Sequence, residues 1–357
     1  MKKHLHKIKE SAKKPLHKIL RKQPSAVEKT KVPYITNETI AEHREEVLSG
    51  ARKYIYPLQH SKHRIVLLSS IILGVTLIVF TVFSVLNLYR FQSTSTFVYR
   101  ITQIVPYPVA RVEGRMVSYE NYLFELRHYM HYYETQQKLS FDTEEGQRDL
   151  SEYKKQALQQ VIDDAYIKHL ADKNKVSISN QEVDQEIAIV REQNRLGTSD
   201  QVFEDVLRDF WGWSVNDFRR SLRQQLLTRK VVSTLDTEAQ AKAKQALAEL
   251  RAGADFAEVA KKYSTDEVTR EAGGDYGIAL DKSNLNISAK VTNKIFNQKA
   301  GEYSDIIDTG YSLEIVKTLA FEGDKARAAH IQITLKDINE RLEPIKQSSP
   351  PSRYLNL

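Results

Sequence analysis

Residues 254–277 read ADFAEVAKKYSTDEVTREAGGDYG, and the pattern of this segment changes halfway along it. In the first half, Asp255 and Glu258 have the spacing of a capping box, so a short helix is predicted to begin there. After Ser264 the helical pattern stops and a polar run rich in glycine begins. Such a run binds phosphate when a strand precedes it and Gly-Lys-Ser/Thr follows, and neither is present here. The segment therefore predicts a helix and a loop, and not a nucleotide site.

The sequence on both sides of this segment predicts a small α+β domain. Upstream, residues 237–253 (TEAQAKAKQALAELRAG) have a helical pattern that ends at Gly253. Downstream, a helical stretch to Phe296 is followed by residues 310–323 and 325–335, which alternate in the manner of strands.

The chain between residues 107 and 235 is predicted to be mostly helical. A short apolar strand with a glycine turn leads into a helix that Ser118 is placed to cap. Ser179 and Glu182 form a capping box for a later helix, and another helix is expected from Ser214.

A run of 24 residues without a charged side chain, Ile65 to Leu88, precedes these two regions. As a helix it would extend over about 36 Å, compared with about 30 Å for the hydrocarbon core of a bilayer. A cleaved signal peptide is the alternative, but 64 residues precede the run and it is longer than the apolar part of such peptides. The run predicts a tilted transmembrane helix.

Charge is distributed unevenly around this run. Residues 1–64 contain 16 Lys and Arg against 6 Asp and Glu, whereas the rest of the chain contains 37 against 40. Positive charge favours the cytoplasmic side, so the N-terminus is expected in the cytoplasm and residues 89–357 outside the plasma membrane. The basic tail contains no aromatic stacking residues in its lysine-rich run, and no specific nucleic-acid partner is predicted.

The chain contains no cysteine, which excludes disulfides, thiol nucleophiles and dithiol redox chemistry. Two histidine pairs, His60 with His63 and His128 with His131, are spaced to share a helix face, but no third ligand has suitable spacing. Neither a metal nor a cofactor is predicted.

Two parts of the chain resemble known families. Residues 254–277 and 300–317 (AGEYSDIIDTGYSLEIVK) are similar to the signature of the parvulin peptidyl-prolyl isomerases. Residues 109–122 (VARVEGRMVSYENY) and 213–231 (WSVNDFRRSLRQQLLTRKV) resemble the helical chaperone region of SurA and PrsA-like proteins. The resemblance covers roughly residues 107–335. It implies a membrane-bound factor whose clients are unfolded or nascent polypeptides.

The predicted organisation combines these readings into an α+β protein with six parts. They are a basic tail (1–64), a transmembrane helix (65–88), a linker (89–106), a SurA-like helical domain (107–235), a parvulin-like domain with an antiparallel sheet (236–335) and a C-terminal tail (336–357).

The parvulin resemblance departs from the family in the order of its strands. A parvulin begins with a strand that carries a histidine, and only VVSTLDT (231–237) stands at that place. Residues 327–335 resemble the missing strand and follow the closing strand of the domain. Residues 313–321 and 327–335 are therefore expected to form a hairpin in a circularly permuted domain. A truncated second repeat is the alternative.

The resemblance also implies site residues. His330 matches the family's first active-site histidine, and Asp266, two residues after Ser264, stands where the family has Cys or Asp. Glu314, or else Ser312, replaces the second histidine. Candidate catalytic residues are His330, Asp266, Glu314 and Ser264, and candidate substrate-binding residues are Ile287, Val291, Phe296 and Gln332. The three apolar residues Ile287, Val291 and Phe296 form either a proline slot or part of the core.

Three functions remain open on this basis. The first is a peptidyl-prolyl cis-trans isomerase that acts on unfolded secreted or membrane proteins. The second is a holdase with a silent parvulin fold, which the absence of the second histidine favours. The third is a membrane scaffold with one fixed partner.

Overall fold

The computed structural model describes residues 35–55, 58–194, 196 and 199–357, without the side chains of residues 53–55 and 58–63. The lysine-rich part of the basic tail, residues 1–34, lies outside the described residues, as do the side chains of His60 and His63. The chain divides into two compact units, Met1–Leu77 and Ile78–Leu357.

A long apolar helix crosses the boundary between these units. Helix α1 is Asn37–Ile55, and α2 is Leu58–Val85, which continues into a π-helical turn at Leu86–Arg90. Within this stretch, the 27 residues Arg64–Arg90 are long and apolar enough to cross a membrane. The helix therefore fits the predicted apolar span.

The next part of the chain is mostly helical, as predicted. Its apolar core combines a small sheet with the longest helices, and Tyr119, Tyr122 and Ile162 are fully buried there. The elements are α3 (Thr96–Ile104), β1 (Pro108–Val112), β2 (Arg115–Ser118), α4 (Tyr119–Gln136), α5 (Glu144–Lys173), α6 (Asn180–Gln193), α7 (Asp200–Trp211) and α8 (Val215–Leu235).

Three of the predicted helix starts have the expected caps. The Ser118 hydroxyl accepts the Asn121 N–H at the start of α4. Ser179 with Glu182 forms a complete capping box on α6, and Ser214 begins α8 with Asp217 as its partner. The capping box predicted at Asp255 is only partly present. Asp255 caps its helix, but the Glu258 carboxylate forms an ion pair with Lys261 and does not complete the box.

The remaining chain forms an α+β domain and then a C-terminal segment. The elements are α9 (Thr237–Arg251), α10 (Phe256–Tyr263), α11 (Glu267–Arg270), β3 (Asp275–Leu280), α12 (Ala289–Phe296), β4 (Ile307–Asp308), β5 (Ser312–Glu322), β6 (Lys325–Thr334), α13 (Ile338–Ser348) and β7 (Ser352–Arg353). Strands β3 to β6 form an antiparallel sheet in the order β3-β6-β5-β4.

The predicted hairpin is confirmed. β5 and β6 pair antiparallel from Ser312 with Thr334 to Glu322 with Lys325, with an irregularity between Thr318 and Ala320. No strand interrupts residues 231–237, where α8 passes almost directly into α9. β6 is the last strand of its sheet in the sequence but lies between β3 and β5. This placement is the one that the hypothesis of a circularly permuted domain predicts.

The C-terminal segment returns to the helical region. β7 pairs with β1 and completes a second sheet in the order β2-β1-β7. Leu342 and Leu355 are buried in the same core as Tyr119, and the Tyr166 hydroxyl donates a hydrogen bond of 2.6 Å to the Ser349 carbonyl. Residues after Thr334 therefore contribute to the core of the helical region.

Candidate active site

The candidate site is centred on His330, which lies on the central strand β6. Side chains of this strand alternate between the two faces of the sheet, so Ile331 and Ile333 pack with the helices α9 and α10 while Ala328 packs with α12. His330 shares the α12 face and is only 4% exposed. Its backbone N–H donates to the Gly274 carbonyl at 2.8 Å, which fixes the strand beside the glycine-rich loop.

One ring nitrogen of His330 contacts the loop that follows α10. Nε2 lies 2.9 Å from Asp266 Oδ2 and 2.9 Å from the Thr269 hydroxyl. The Thr269 hydroxyl also donates to Asp266 Oδ2 at 2.6 Å, and Asp266 Oδ1 accepts the Val268 N–H as the cap of α11. Burial opposes ionisation of Asp266, but the hydrogen bonds from Thr269, His330 and Val268 outweigh it and lower its pKa. Asp266 is therefore a fixed carboxylate.

The other ring nitrogen faces Glu314 on the neighbouring strand β5. Nδ1 lies 3.4 Å from Glu314 Oε2. The Ser312 hydroxyl donates a hydrogen bond of 2.7 Å to Glu314 Oε1. Glu314 pairs in register with Gln332, which places it diagonally opposite His330. The residue predicted at the position of the second histidine thus lies next to the first one, with a carboxylate instead of an imidazole.

Ser264 contacts the backbone and not the imidazole. Its hydroxyl accepts the N–H groups of Gln332 and Asp266. The Thr265 N–H donates to the Gln332 carbonyl at 2.6 Å, so this loop extends the edge of β6. Through these two hydrogen bonds, Ser264 is placed to hold Asp266 in position. The sequence had predicted a catalytic role for Ser264.

The three apolar candidates belong to one cluster beneath the α12 face of the sheet. Val291 is fully buried with Leu280, Ile295 and Val316, and Ile287 and Phe296 pack against that cluster while they remain partly exposed. Val291 is thus a core residue, in agreement with the core alternative. Ile287 and Phe296 keep surface that a proline ring can contact. Gln332 is also partly exposed, on the same face as His330.

Two residues that the sequence reasoning did not select complete the site. Tyr276 lies against the His330 ring at 4.3 Å between centroids and also packs against the Val291 cluster. Burial, and then the charges of Glu314 and Asp266, raise the pKa of Tyr276, so it stays a neutral phenol. Thr269 joins the imidazole to Asp266. Both residues lie in the segment 254–277. The similarity of this segment to the parvulin signature was therefore the signal in the sequence that could have identified them.

The arrangement contains a buried imidazole between two carboxylates, with an apolar cluster on the same face of the sheet. The Nε2 atom of His330 faces Asp266, and its Nδ1 atom faces Glu314. No metal-binding group of three or more His, Asp or Glu side chains occurs among the described residues. The site therefore places a fixed carboxylate, Asp266, on the same side of the sheet as partly exposed apolar residues.

Comparison with protein families agrees with this architecture. Residues 59–232 match the model of the SurA-like N-terminal domain, and residues 226–320 match that of the PPIC-type peptidyl-prolyl isomerase domain. The second match ends before β6 begins, so the strand that carries His330 lies outside it.

Two known proteins are similar to parts of the chain. A putative peptidyl-prolyl cis-trans isomerase of Bacillus subtilis, YacD, is 26% identical over 208 residues, which cover 49% of this chain and 68% of the relative. Foldase protein PrsA 1 of Lactiplantibacillus plantarum is 34% identical over 86 residues, which cover 24% of this chain and 28% of that foldase.

Proposed function

Because the chain combines a SurA-like N-terminal domain with a PPIC-type peptidyl-prolyl isomerase domain, we propose that it is an extracytoplasmic folding factor that accelerates X-Pro isomerisation in unfolded client polypeptides. The observation that carries the proposal is the network of Asp266, His330 and Glu314 on the central strand of the second domain. Uncatalysed X-Pro isomerisation takes about tens to hundreds of seconds, which is slow enough to limit the rate of folding.

The reaction needs no nucleophile, because the amide bond only rotates. The barrier of about 18 to 20 kcal/mol comes from resonance that places partial negative charge on the carbonyl oxygen and partial positive charge on nitrogen. A fixed carboxylate near that oxygen disfavours the charge-separated form, so the twisted amide is bound better than the planar one. Asp266 is partly exposed and ionised, and it is the group we assign to this role.

His330 and Glu314 act behind Asp266 in this proposal. Both are buried, so they hold the carboxylate in place and set its electrostatic environment instead of contacting the substrate. Ile287 and Phe296 offer partly exposed apolar surface for the proline ring. Gln332, which is partly exposed beside Glu314, supplies an amide for hydrogen bonds to the peptide backbone.

A second function, a holdase that binds peptide without catalysis, is favoured by one observation. Glu314 stands where a parvulin has its second histidine, and the single histidine that remains is almost fully buried. In this alternative the same site binds a proline-containing segment without catalysis, while the helical region holds exposed apolar stretches of the client.

The membrane topology completes the proposal. The span within Arg64–Arg90 anchors the protein, the basic N-terminal region stays in the cytoplasm, and the two domains face outwards. Because the chain has no cysteine, Ser25→Cys and Val202→Cys each create a single thiol. A maleimide that does not cross membranes should label position 202 in intact cells and position 25 only after lysis. The reverse pattern would overturn this topology.

The proposed activity is tested with the full chain in lipid nanodiscs. The cis-to-trans rate of proline tetrapeptides that differ in the residue before proline is compared for the wild type, Asp266→Asn, His330→Gln and His169→Gln, the last being a histidine outside the site. Acceleration by the wild type and His169→Gln that is lost in the other two supports the isomerase. No acceleration, with aggregation of an unfolded client still suppressed, supports the holdase. Failure of both assays would reject a folding factor.

A further inference from the structure

The outer end of the apolar helix is built into the folded domain that follows it. Leu88 is fully buried in the core that contains Tyr119, and the Tyr119 hydroxyl donates a hydrogen bond of 2.6 Å to the Leu88 carbonyl. The Tyr89 hydroxyl donates to the Pro108 carbonyl at 2.5 Å, and Ser84 is buried one turn earlier. The surface around this junction therefore has a fixed position relative to the end of the helix.

Helix α3 turns back towards the apolar helix soon after that helix ends. The rings of Phe97 and Phe83 meet edge to face, with 6.4 Å between their centroids. Phe83 precedes Arg90 by seven residues, or about 10 Å along a helix. The 27-residue span reaches about 40 Å against about 30 Å of hydrocarbon, so Phe83 lies close to the outer boundary of the hydrocarbon. Phe97, whose ring contacts that of Phe83, is therefore also placed close to this boundary.

The outward face of α3 carries two exposed large apolar side chains beside the exposed polar residues Arg100 and Gln103. Phe97 is 61% exposed, and Ile104, two helical turns later on the same face, is 83% exposed. Phe91, in the short connection before α3, is 68% exposed. The inner side, with Val98, Ile101 and Thr102, is buried, and Val98 belongs to the core that contains Tyr119. Since the inner face already accounts for the packing of α3, the outer apolar face needs another partner.

Two arginines border this apolar face. Arg100 lies between Phe97 and Ile104 on the exposed side of the helix, and Arg90 is exposed at the end of the apolar span. Within the part of the chain that the structure describes, neither guanidinium forms an ion pair. Guanidinium groups bind phosphate oxygens through paired hydrogen bonds, so their position beside an apolar face fits lipid headgroups.

We propose that α3, with Phe91, Phe97, Arg100 and Ile104, is a membrane-contact surface that rests in the headgroup region of the outer leaflet. The surface is continuous with the apolar span, which is why a phospholipid bilayer is the occupant that fits it best. The inference rests on the anchoring in the proposed function. It adds that the domain lies against the bilayer and does not extend away from it on a flexible linker.

The test uses single-cysteine variants of the full chain, which has no cysteine of its own. Phe97→Cys and Ile104→Cys report on the surface, Val202→Cys is a control on the exposed side of α7, and Val75→Cys reports on the apolar span itself. Each is labelled with an environment-sensitive nitrobenzoxadiazole dye and reconstituted in vesicles of phosphatidylglycerol and phosphatidylcholine. Quenching by lipids with a spin label near the headgroup is then measured for positions 97, 104 and 202. For position 75, which lies near the middle of the span, the spin label is placed deep in the acyl chain.

We expect the labels at 97 and 104 to be quenched at least twofold, and the label at 202 to be unaffected. Because Ile104 has little packing to lose, its variant remains informative if Phe97→Cys disturbs α3. Quenching at 75 without quenching at 97 and 104 would overturn the contact surface and leave the anchor intact. A blue-shifted but unquenched dye at both positions would show a protein partner instead of lipid. Absence of quenching at 75 would reject the anchor itself.

Discussion

His330 Nε2 and Asp266 Oδ2 lie 2.9 Å apart although 64 residues separate them in the chain. Asp266 belongs to the loop between α10 and α11, and His330 belongs to the last strand of the sheet. The contact exists only when β6 has inserted between β3 and β5, so formation of the site depends on the final strand. The late position of β6 in the sequence does not keep the imidazole away from its carboxylate.

Replacement of Asp266 by Asn is expected to lower kcat/KM for proline peptides by about tenfold or more. The change removes the negative charge from the exposed part of the network but keeps its shape, and charge-assisted hydrogen bonds of this kind contribute about 1.5 to 3 kcal/mol. Asp305→Asn, which changes an exposed carboxylate of the same domain, is the control. Equal rates for the two variants would remove Asp266 from the mechanism.

A second prediction concerns Gly274, whose positive φ of 85° and close approach to β6 both require glycine. A Cβ at this position would overlap the carbonyl oxygen of His330. Gly274→Ala should therefore displace His330 and lower the isomerisation rate. Gly277→Ala is the matched control, because Gly277 has a similar φ of 72° but open space around its Cβ position. If both variants lose the same activity, backbone strain alone explains the effect and the packing argument fails.

The sequence predicted the elements of the fold where a local signal exists. Ser179 and Ser214 cap helices because Ser is followed three residues later by Glu or Asp, and this pattern is readable without tertiary information. The hairpin of β5 and β6 was also predictable, since the alternating segments are separated only by a short turn.

Other features depend on contacts between distant parts of the chain and could not be read from the sequence. The segment 89–106 was expected to be a linker, and it contains α3, which is packed on the core by Val98. Ser264 was assigned a catalytic role, but its hydroxyl is used by two backbone N–H groups. Nothing in the periodicity of residues 336–357 indicates that β7 pairs with β1.

A third prediction concerns the pH dependence of stability. Glu125 and Asp164 line a cavity of about 440 Å³ in the helical region. Burial, and then the charge of Asp164, raise the pKa of Glu125 to about 7, and burial raises the pKa of Asp164 to about 6. Because both pKa values are higher in the folded state, the folded chain binds more protons. The stabilisation that comes from the protonated forms of Glu125 and Asp164 is complete below the ordinary carboxyl pKa. It is lost as the pH rises through their folded-state pKa values of about 6 to 7.

Glu125→Gln should therefore raise the Tm at pH 8 and leave it nearly unchanged at pH 4, below the ordinary pKa of a glutamate. The rise in the pKa of Glu125 corresponds to about 1 to 3 kcal/mol in the free energy of unfolding. For a chain of this length that is a change of a few degrees in Tm. Thermal unfolding of the full chain in nanodiscs at the two pH values measures it. Glu134→Gln, on the exposed side of the same helix, should behave like the wild type. A Tm increase that is the same at both pH values would contradict the proton-linked explanation.

The fourth prediction concerns the C-terminal segment, which contributes Leu355 to the core of the helical region. Leu355→Ala removes a fully buried side chain and should lower the free energy of unfolding by about 2 to 4 kcal/mol. Leu357→Ala, two residues later and exposed, should cost less than about 0.5 kcal/mol. Chemical denaturation in nanodiscs, followed by the fluorescence of Trp211 and Trp213 in the helical region, compares the two variants.

The same pair of variants shows whether the C-terminal segment is part of the cooperative unit. Tyr166 and Ser349 form a hydrogen bond of 2.6 Å, and Lys346 pairs with Asp163 at 2.9 Å, so the segment is held by polar contacts as well as by Leu355. If the segment only rests on the surface, Leu355→Ala will leave the tryptophan transition unchanged and increase only the rate at which protease removes residues 336–357. If it is part of the core, the midpoint of the tryptophan transition will fall in Leu355→Ala and stay constant in Leu357→Ala.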